Sequence, residues 1–271
     1  MVEGHIPLFS VRAKNLPSAW EKAVLLCWDK GALARTEYDR PEDPPSRDCT
    51  MVIWVTAPFS EPRIHRAFPG SLEDLEIYRQ EVLDGIHDHW ISPGEGKWTY
   101  TYHQRLFGYE IGDRPIDQIA YLVEKLSHRP FSRRAQAITW NPSIDPPTDD
   151  PPCLQRIWCR LLRSSSGPVL NMNAHWRSRD AYKAAYMNMF ALTDVQRHIA
   201  EAISLRLGQK VGVGRYVDIS DSFHIYGSYT QELQQFRRTT QERPFSNRVW
   251  NTSFAEPFFQ EARKRVAGEI T

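Results

Sequence analysis

The sequence has little cysteine, no excess of either charge and no long apolar run. Its four cysteines, Cys27, Cys49, Cys153 and Cys159, form no CxxC pair and no metal-ligand spacing. Neither a disulfide scaffold nor a metal site is therefore encoded, and reduced thiols in a cytoplasmic compartment are expected. Lysine and arginine total 34 against 33 for aspartate and glutamate. So close a balance excludes the broad basic surface that holds nucleic acid or an anionic membrane, while a few local arginines still suffice for a small anion. No stretch approaches the roughly 18 apolar residues of a membrane span. The segment MVEGHIPLFSVRAKNLPSAW carries charges and two prolines where a signal peptide needs an apolar core. No internal repeat, linker or break in composition divides the 271 residues, so a single domain over 1–271 is expected.

What is present is an alternation of helix and strand patterns. Residues 17–32 place Trp20, Val24, Leu25 and Trp28 near helical spacing and stop at Gly31. The proline-rich loop TEYDRPEDPPSRDC precedes MVIWVTAP, a β-branched strand. SLEDLEIYRQEVLDGI opens on a Ser-x-x-Asp cap and carries Leu72, Leu75, Tyr78 and Val82 on one face, an amphipathic helix. WTYTYHQRLF alternates like a strand, IDQIAYLVEKLSHRP reads as a helix stopped by Pro130, and RRAQAITWNP reads as a strand. CLQRIWCRLL and GPVLNMNAHW form a strand pair around RSSSG. The run DAYKAAYMNMFALTDVQRHIAEAISLRLG predicts a buried helix, KVGVGRYVDISDSFHIYGSY a strand and TQELQQFRRTTQ a charged helix, before an irregular aromatic-rich end. The class expected is α+β.

Pro-Pro-Cys at 151–153 is the first feature with chemical content, because a cysteine where a loop enters a strand is exposed enough to react and rigid enough to aim. Alone it says little, since a lone cysteine is more often a small buried hydrophobe. SRRAQAITWNP at 132–142, DPPC at 150–153, HWRSRDAYKAAYMNMFAL at 175–192 and SFHIYGSY at 222–229 occur with it, in this order. Together they resemble the thymidylate synthase superfamily, most clearly over 97–229, and the interval from Arg177 to Asn188 fits its pattern without a gap.

The resemblance implies a mixed β-sheet packed against helices and a homodimer formed sheet to sheet. It also implies a chemistry. C5 of a pyrimidine is a poor nucleophile until a thiolate adds at C6, and Cys153 takes that role toward a pyrimidine nucleoside 5′-monophosphate, with 5,10-methylenetetrahydrofolate as the one-carbon donor and no metal. Arg177 and Ser178 match the phosphate ligands, and Arg133 and Arg134 match the pair that crosses the dimer interface. Such a guanidinium fork suits a phosphate dianion. Arg40 matches an Asp-Arg phosphate loop whose following residues differ here. Asn188 matches the reader of the pyrimidine edge, Asp180 the aspartate near base and folate, and His224 and Tyr226 the ribose contacts. Glu81, with Glu76 second, matches the carboxylate that moves protons, and Tyr102 the tyrosine near the nucleophile.

Departures from the pattern bear on the product. Leu154 follows Cys153 where the synthases place His, Trp158 occupies a Gln position, AAYMN replaces a Gly-x-Pro-Phe-Asn turn, and RKRVAGEIT replaces a short apolar tail. An altered nucleophile shell and a lost apolar cap fit entry of water, so hydroxymethylation of CMP or dCMP is the expected reaction. Methylation of dUMP is the alternative: the resemblance implies Asn for a uracil base, so Asn188 speaks for it, although an amide can rotate to serve either base. A nucleotide-binding regulator of the same fold would need the arginines but no nucleophile.

Overall fold

The computed structural model describes residues 4–111 and 114–270. In chain order the elements are β1 (Leu8–Ala13), α1 (Leu16–Lys30), β2 (Ala32–Ala34), β3 (Ser46–Val55), β4 (Ile64–His65), α2 (Leu72–Asp84), α3 (Tyr102–Phe107), β5 (Tyr109–Ile111), β6 (Arg114–Ile116) and α4 (Gln118–His128). They continue with β7 (Gln136–Ile138), β8 (Leu154–Ser164), β9 (Gly167–Asp180), α5 (Ala185–Leu207), β10 (Gly212–Ile225), α6 (Thr230–Glu242), β11 (Val249–Trp250) and α7 (Thr252–Ile270).

One mixed sheet organises the chain, in the order β1-β3-β10-β9-β8-β7 with β2 also on β3. The pairs β1–β3 and β9–β10 are parallel, while β3–β10, β8–β9 and β7–β8 are antiparallel. Side chains alternate across a strand. One parity, including Met51, Ile53, Ile157, Cys159, Leu170, Met172 and Tyr216, is fully buried on the helix side. The opposite parity, with Val52, Trp54, Val217 and Ile219, is not covered by any helix among the described residues and remains half-exposed to exposed. The long helix α5 buries residues on nearly every side, as its all-round apolar first half predicts. This is the α+β arrangement of a mixed sheet against helices that the sequence motifs imply.

Local signals act where they were read. Ser71 and Asp74 cap α2 reciprocally, Ser71 Oγ accepting from Asp74 N at 3.0 Å and Asp74 Oδ2 from Ser71 N at 2.9 Å. Ser164 and Gly167 close the β8–β9 hairpin over the RSSSG turn. Other expectations are corrected. WTYTYHQRLF is no strand, because Thr101 accepts a hydrogen bond from Gln104 N at 2.9 Å and thereby starts the short helix α3. Only Gln136–Ile138 of RRAQAITWNP pair in the sheet. The strand β9 runs on through Asp180, so the following helix starts five residues late, at Ala185. The C-terminal end is not irregular: α7 buries Ala255, Phe259, Ala262 and Val266, a helical stripe packed on α2 despite Pro257 within it. β1 was not anticipated at all. Among the described residues no helix is long and apolar enough to cross a membrane.

Candidate active site

The strand directions bring the chemistry to one end of the sheet. β8 starts where β9 and β10 finish, and Cys153 immediately precedes β8. Its carbonyl accepts from Arg177 N at 2.9 Å, extending the β8–β9 ladder past the Leu154–Trp176 pair. The Arg177 side chain then folds back on the same loop: Nε donates to Pro152 O at 3.1 Å and Nη2 to Pro151 O at 2.6 Å. Pro152 O accepts from Gln155 Nε2 as well, at 3.0 Å, so the loop carbonyls are held from two sides. The result is a guanidinium fixed beside a half-buried thiol.

That thiol is the accessible one of the four, since Cys27, Cys49 and Cys159 are buried. Burial pushes the Cys153 pKa up, the guanidinium of Arg177 pulls it down, Asp150 pushes it up again and the buried Arg179 pulls it down, with burial prevailing. Cys153 therefore rests as a thiol. Behind it, Tyr102 Oη accepts from Leu154 N at 3.3 Å and its ring meets Trp176 edge-on at 5.8 Å.

Trp176 opens onto a buried polar cluster with no counterpart in the sequence reading. Arg179 lies over its ring at 4.3 Å, pairs with Asp218 and donates to Ala185 O at 2.8 Å. Asp218 also accepts from Trp176 Nε1 at 3.2 Å and Tyr216 Oη at 2.6 Å. This cluster ties β9 and β10 to the start of α5.

Parallel pairing of β9 and β10 sets Asp180 opposite His224. Asp180 is largely committed to structure, Oδ1 accepting from Tyr182 N and Lys183 N at 2.9 and 2.7 Å, and Oδ2 from Tyr229 Oη at 3.1 Å. His224 is 7 % exposed. Burial holds its pKa below the ordinary histidine range against the pull of Asp180 and Asp48, so it is neutral near pH 7. Its Nδ1 lies 3.3 Å from Ser222 Oγ, which donates to Asp48 at 3.0 Å. Tyr226 packs edge-on to His224 at 4.8 Å, and burial pushes its phenol up to about 12. Ser178 and Ser222 are register partners on the same two strands.

Asn188 sits on the first turn of α5 and donates through Nδ2 to Tyr78 Oη at 2.5 Å. Tyr78 and Glu81, three residues apart on α2, thus share the face turned toward Asn188 and the site. Glu81 lines a depression of about 610 Å³ together with Trp98, Tyr100, Tyr102 and Asp150. Burial raises its carboxyl pKa, and a 2.9 Å bond to His87 Nδ1 opposes the rise.

Four candidates stand elsewhere. Glu76 is 1 % exposed and bound by Arg79 at 2.8 Å through both carboxylate oxygens and by Arg263 Nε at 2.8 Å, so it is no site carboxylate. Arg40 is exposed, with its backbone N held by Asp43 Oδ2 at 3.1 Å. Arg133 and Arg134 precede the edge strand β7. Both are exposed, and neither guanidinium has a hydrogen-bond or ion-pair partner among the described residues. The sequence reading missed Tyr78, Tyr100, Asp150, Arg179, His87 and Tyr229. Tyr78 was seen only as a member of an apolar helix face, and Gly85 was the one local hint that the chain turns back to bring His87 onto Glu81. No group of three or more His, Cys, Asp or Glu that could hold a metal occurs among the described residues.

Comparison with known proteins gives the family and the fold. The thymidylate synthase family model matches residues 72–256. A protein of Methanocaldococcus jannaschii named "Putative thymidylate synthase" is 30% identical over 224 residues, 81% of this chain and 91% of the relative. A Methanosarcina mazei protein of the same name is 28% identical over 220 residues, 80% of this chain and 88% of that one. The solved thermostable thymidylate synthase A from Bacillus subtilis superposes with a TM-score of 0.61 at 18% identity, covering 83% of this chain and 84% of that one, which establishes the shared fold. On the family match and the archaeal relatives together, this chain belongs to the thymidylate synthase family.

Proposed function

We propose that the chain transfers the one-carbon unit of 5,10-methylenetetrahydrofolate to C5 of a pyrimidine nucleoside 5′-monophosphate through a covalent bond from Cys153 Sγ to C6. The observation that carries this is the lock between nucleophile and arginine, in which Cys153 O, Pro152 O and Pro151 O all accept from Arg177. A phosphate drawn to Arg177 and Ser178 holds the nucleotide against the one accessible thiol. Asn188 reads the base edge, while His224 and Tyr226 take the ribose hydroxyl. Glu81 handles protons at the base, and Asp180 holds the Tyr229 side of the site in place.

The flat aromatic walls of the depression beside Glu81, Trp98 and Tyr100 among them, fit a folate ring system. When bound there, the folate supplies the one-carbon unit. Cys153 forms the Sγ–C6 bond, which makes C5 nucleophilic, and the bond breaks again once C5 has lost its proton. Tyr102 keeps the backbone of Leu154, and with it the thiol, aimed at the base.

The uncovered sheet face bearing Val52, Trp54, Val217 and Ile219 supports a sheet-to-sheet homodimer. In that dimer Arg133 and Arg134 of the partner subunit bring added positive charge to the phosphate. A thiol kept neutral by burial needs that charge to ionise.

For the product, the relatives named as thymidylate synthases and the amide at Asn188 favour methylation of dUMP. The hydroxymethylation of CMP or dCMP expected from sequence has no support among these relatives. It stays a second reading on one feature of the sequence: Leu154 follows Cys153 where the synthase pattern has His, so the polar network around the nucleophile differs.

Mass spectrometry of the nucleotide after incubation with methylenetetrahydrofolate and CMP, dCMP, UMP or dUMP tests both. A gain of about 14 mass units on dUMP, with dihydrofolate formed by hydride transfer, establishes methylation. A gain of about 30 on a cytidylate establishes hydroxymethylation. No gain on any of the four overturns the proposal.

A further inference from the structure

α2 ends at Gly85 in a left-handed conformation, φ +70°, where a Cβ would run into the ring of His103. The chain then doubles back through a single 3-10 turn at Asp88–Trp90. This reversal returns His87 to the face of α2 that carries Glu81, six residues earlier, with Nδ1 2.9 Å from Glu81 Oε2. Both side chains are largely enclosed, His87 at 11% exposure and Glu81 at 15%. The imidazole is caged as well: it stacks on Trp90 with ring centroids 3.8 Å apart and planes at 10°, and Trp98 meets it edge-on at 5.8 Å. The two tryptophans pack the ring against the carboxylate.

We propose that His87 is a positioning residue for Glu81, donating from Nδ1 to one carboxylate oxygen so that the other stays ionised and aimed at the base. The proposal rests on Glu81 being the proton-handling carboxylate of the site. An ionised carboxylate only accepts, so the proton of this bond lies on Nδ1. Burial alone drives the Glu81 carboxyl toward its neutral form, and the His87 bond works against that drive.

The other charged and titratable groups near Glu81 do not replace it. Tyr78, on the same helix, is occupied by Asn188. Asp88 turns its carboxylate to Thr101 at 2.5 Å and His103 at 2.6 Å. Lys97 pairs with Glu95 at 2.7 Å. Tyr100 and Tyr102 at the start of α3 keep their protons, since burial raises both phenols, and Asp149 and Asp150 bring like charge. His87 is thus the one cationic or donor side chain bonded to the Glu81 carboxylate among the described residues.

The test is tritium release from [5-³H]dUMP and [5-³H]CMP with methylenetetrahydrofolate, followed against pH, because loss of the C5 hydrogen is common to both products. His87→Phe keeps the ring packing and removes the donor, so the acid limb of the profile moves to higher pH. His87→Asn places an amide N–H near the Nδ1 position and holds the limb where the native chain has it. An unmoved limb in His87→Phe, or the same displacement in both variants, overturns the proposal. Glu81→Gln separates this from the reading beneath it: a loss of about a hundredfold or more is expected of a proton-transfer group, and full release in Glu81→Gln removes Glu81 itself from the mechanism. Should His87→Phe fail to fold, the ¹⁵N shifts of His87 in the native chain and in Glu81→Gln give the same answer, since an Nδ1 signal indifferent to Glu81→Gln also overturns it.

Discussion

Asp218→Asn isolates what the polar cluster beneath the site contributes. Asp218 is 0 % exposed and Arg179 is 2 % exposed, so neutralising the carboxylate leaves a guanidinium enclosed by protein with no counter-ion. Breaking a buried pair from one side costs about 3–5 kcal/mol. Trp176 Nε1 and Tyr216 Oη, which now share one carboxylate oxygen at 3.2 and 2.6 Å, would compete for a single amide carbonyl. A donor left over adds about 1–3 kcal/mol. A loss of at least about 4 kcal/mol is therefore expected, or a fall in Tm of roughly 10 °C or more at this chain length. Urea unfolding followed by tryptophan fluorescence measures it, with a lower midpoint and an unchanged slope. Adding Arg179→Met to Asp218→Asn removes the orphaned charge and should recover at least half of the loss, because a buried ion pair stabilises little relative to apolar packing. An Asp218→Asn chain within about 0.5 kcal/mol of native would refute the reasoning, since that is the range of substitutions away from any such network.

Arg177→Met removes the strongest charge favouring the Cys153 thiolate, so the thiol pKa rises further and alkylation by iodoacetamide at neutral pH slows; an unchanged pH profile of alkylation, read at the one accessible thiol, contradicts the electrostatic account. Inactive Cys153→Ala and Arg134→Ala chains should regain activity on mixing if arginines are exchanged across a dimer, and failure to complement between chains shown to exchange removes the shared site. His65 and His224 are both buried with pKa values lowered by that burial, so the unfolded chain binds more protons than the folded one as pH falls through the histidine range. Stability is accordingly full above about pH 7 and declines from about 6.5 downward, and a Tm constant from pH 8 to 5 would contradict it.

Elements announced by a cap or a period are legible in the chain, and those that depend on a distant partner are not. The helix α2 follows from Ser71, Asp74 and its apolar face, and the β8–β9 hairpin from alternation around RSSSG. The segment at Tyr102 alternates equally well as a strand. Only the Thr101 cap and the tie of Arg105 to Asp145, with bonds of 2.6 and 3.2 Å, decide for a helix. β1 has six residues, mostly exposed on one parity, and becomes a strand by pairing in parallel with β3. The order of the site residues is equally visible along the chain. Their convergence is a consequence of strand direction, because β9 and β10 run in parallel and β8 returns between them and the edge. Tyr78, by contrast, meets Asn188 across 110 positions, and Tyr229 meets Asp180 across 49. No local pattern marks such pairs.

The choice between Glu76 and Glu81 shows how one missed element propagates. Both are acidic residues on α2, and five residues at 100° apiece turn them about 140° apart, so at most one can face the site. The apolar stripe of α2 does not say which, for acidic groups on either flank read as a solvated surface. What decides is α7, read from sequence as irregular because Pro257 and a charged end obscure its stripe. Packed on α2, it presents Arg263 to Glu76, and with Arg79 it closes that carboxylate in ion pairs at 2.8 Å. Glu81 is left on the open flank, next to Asn188 through Tyr78 and held by His87. The helix at the far end of the chain thereby excludes Glu76 and leaves Glu81 as the carboxylate proposed for the site.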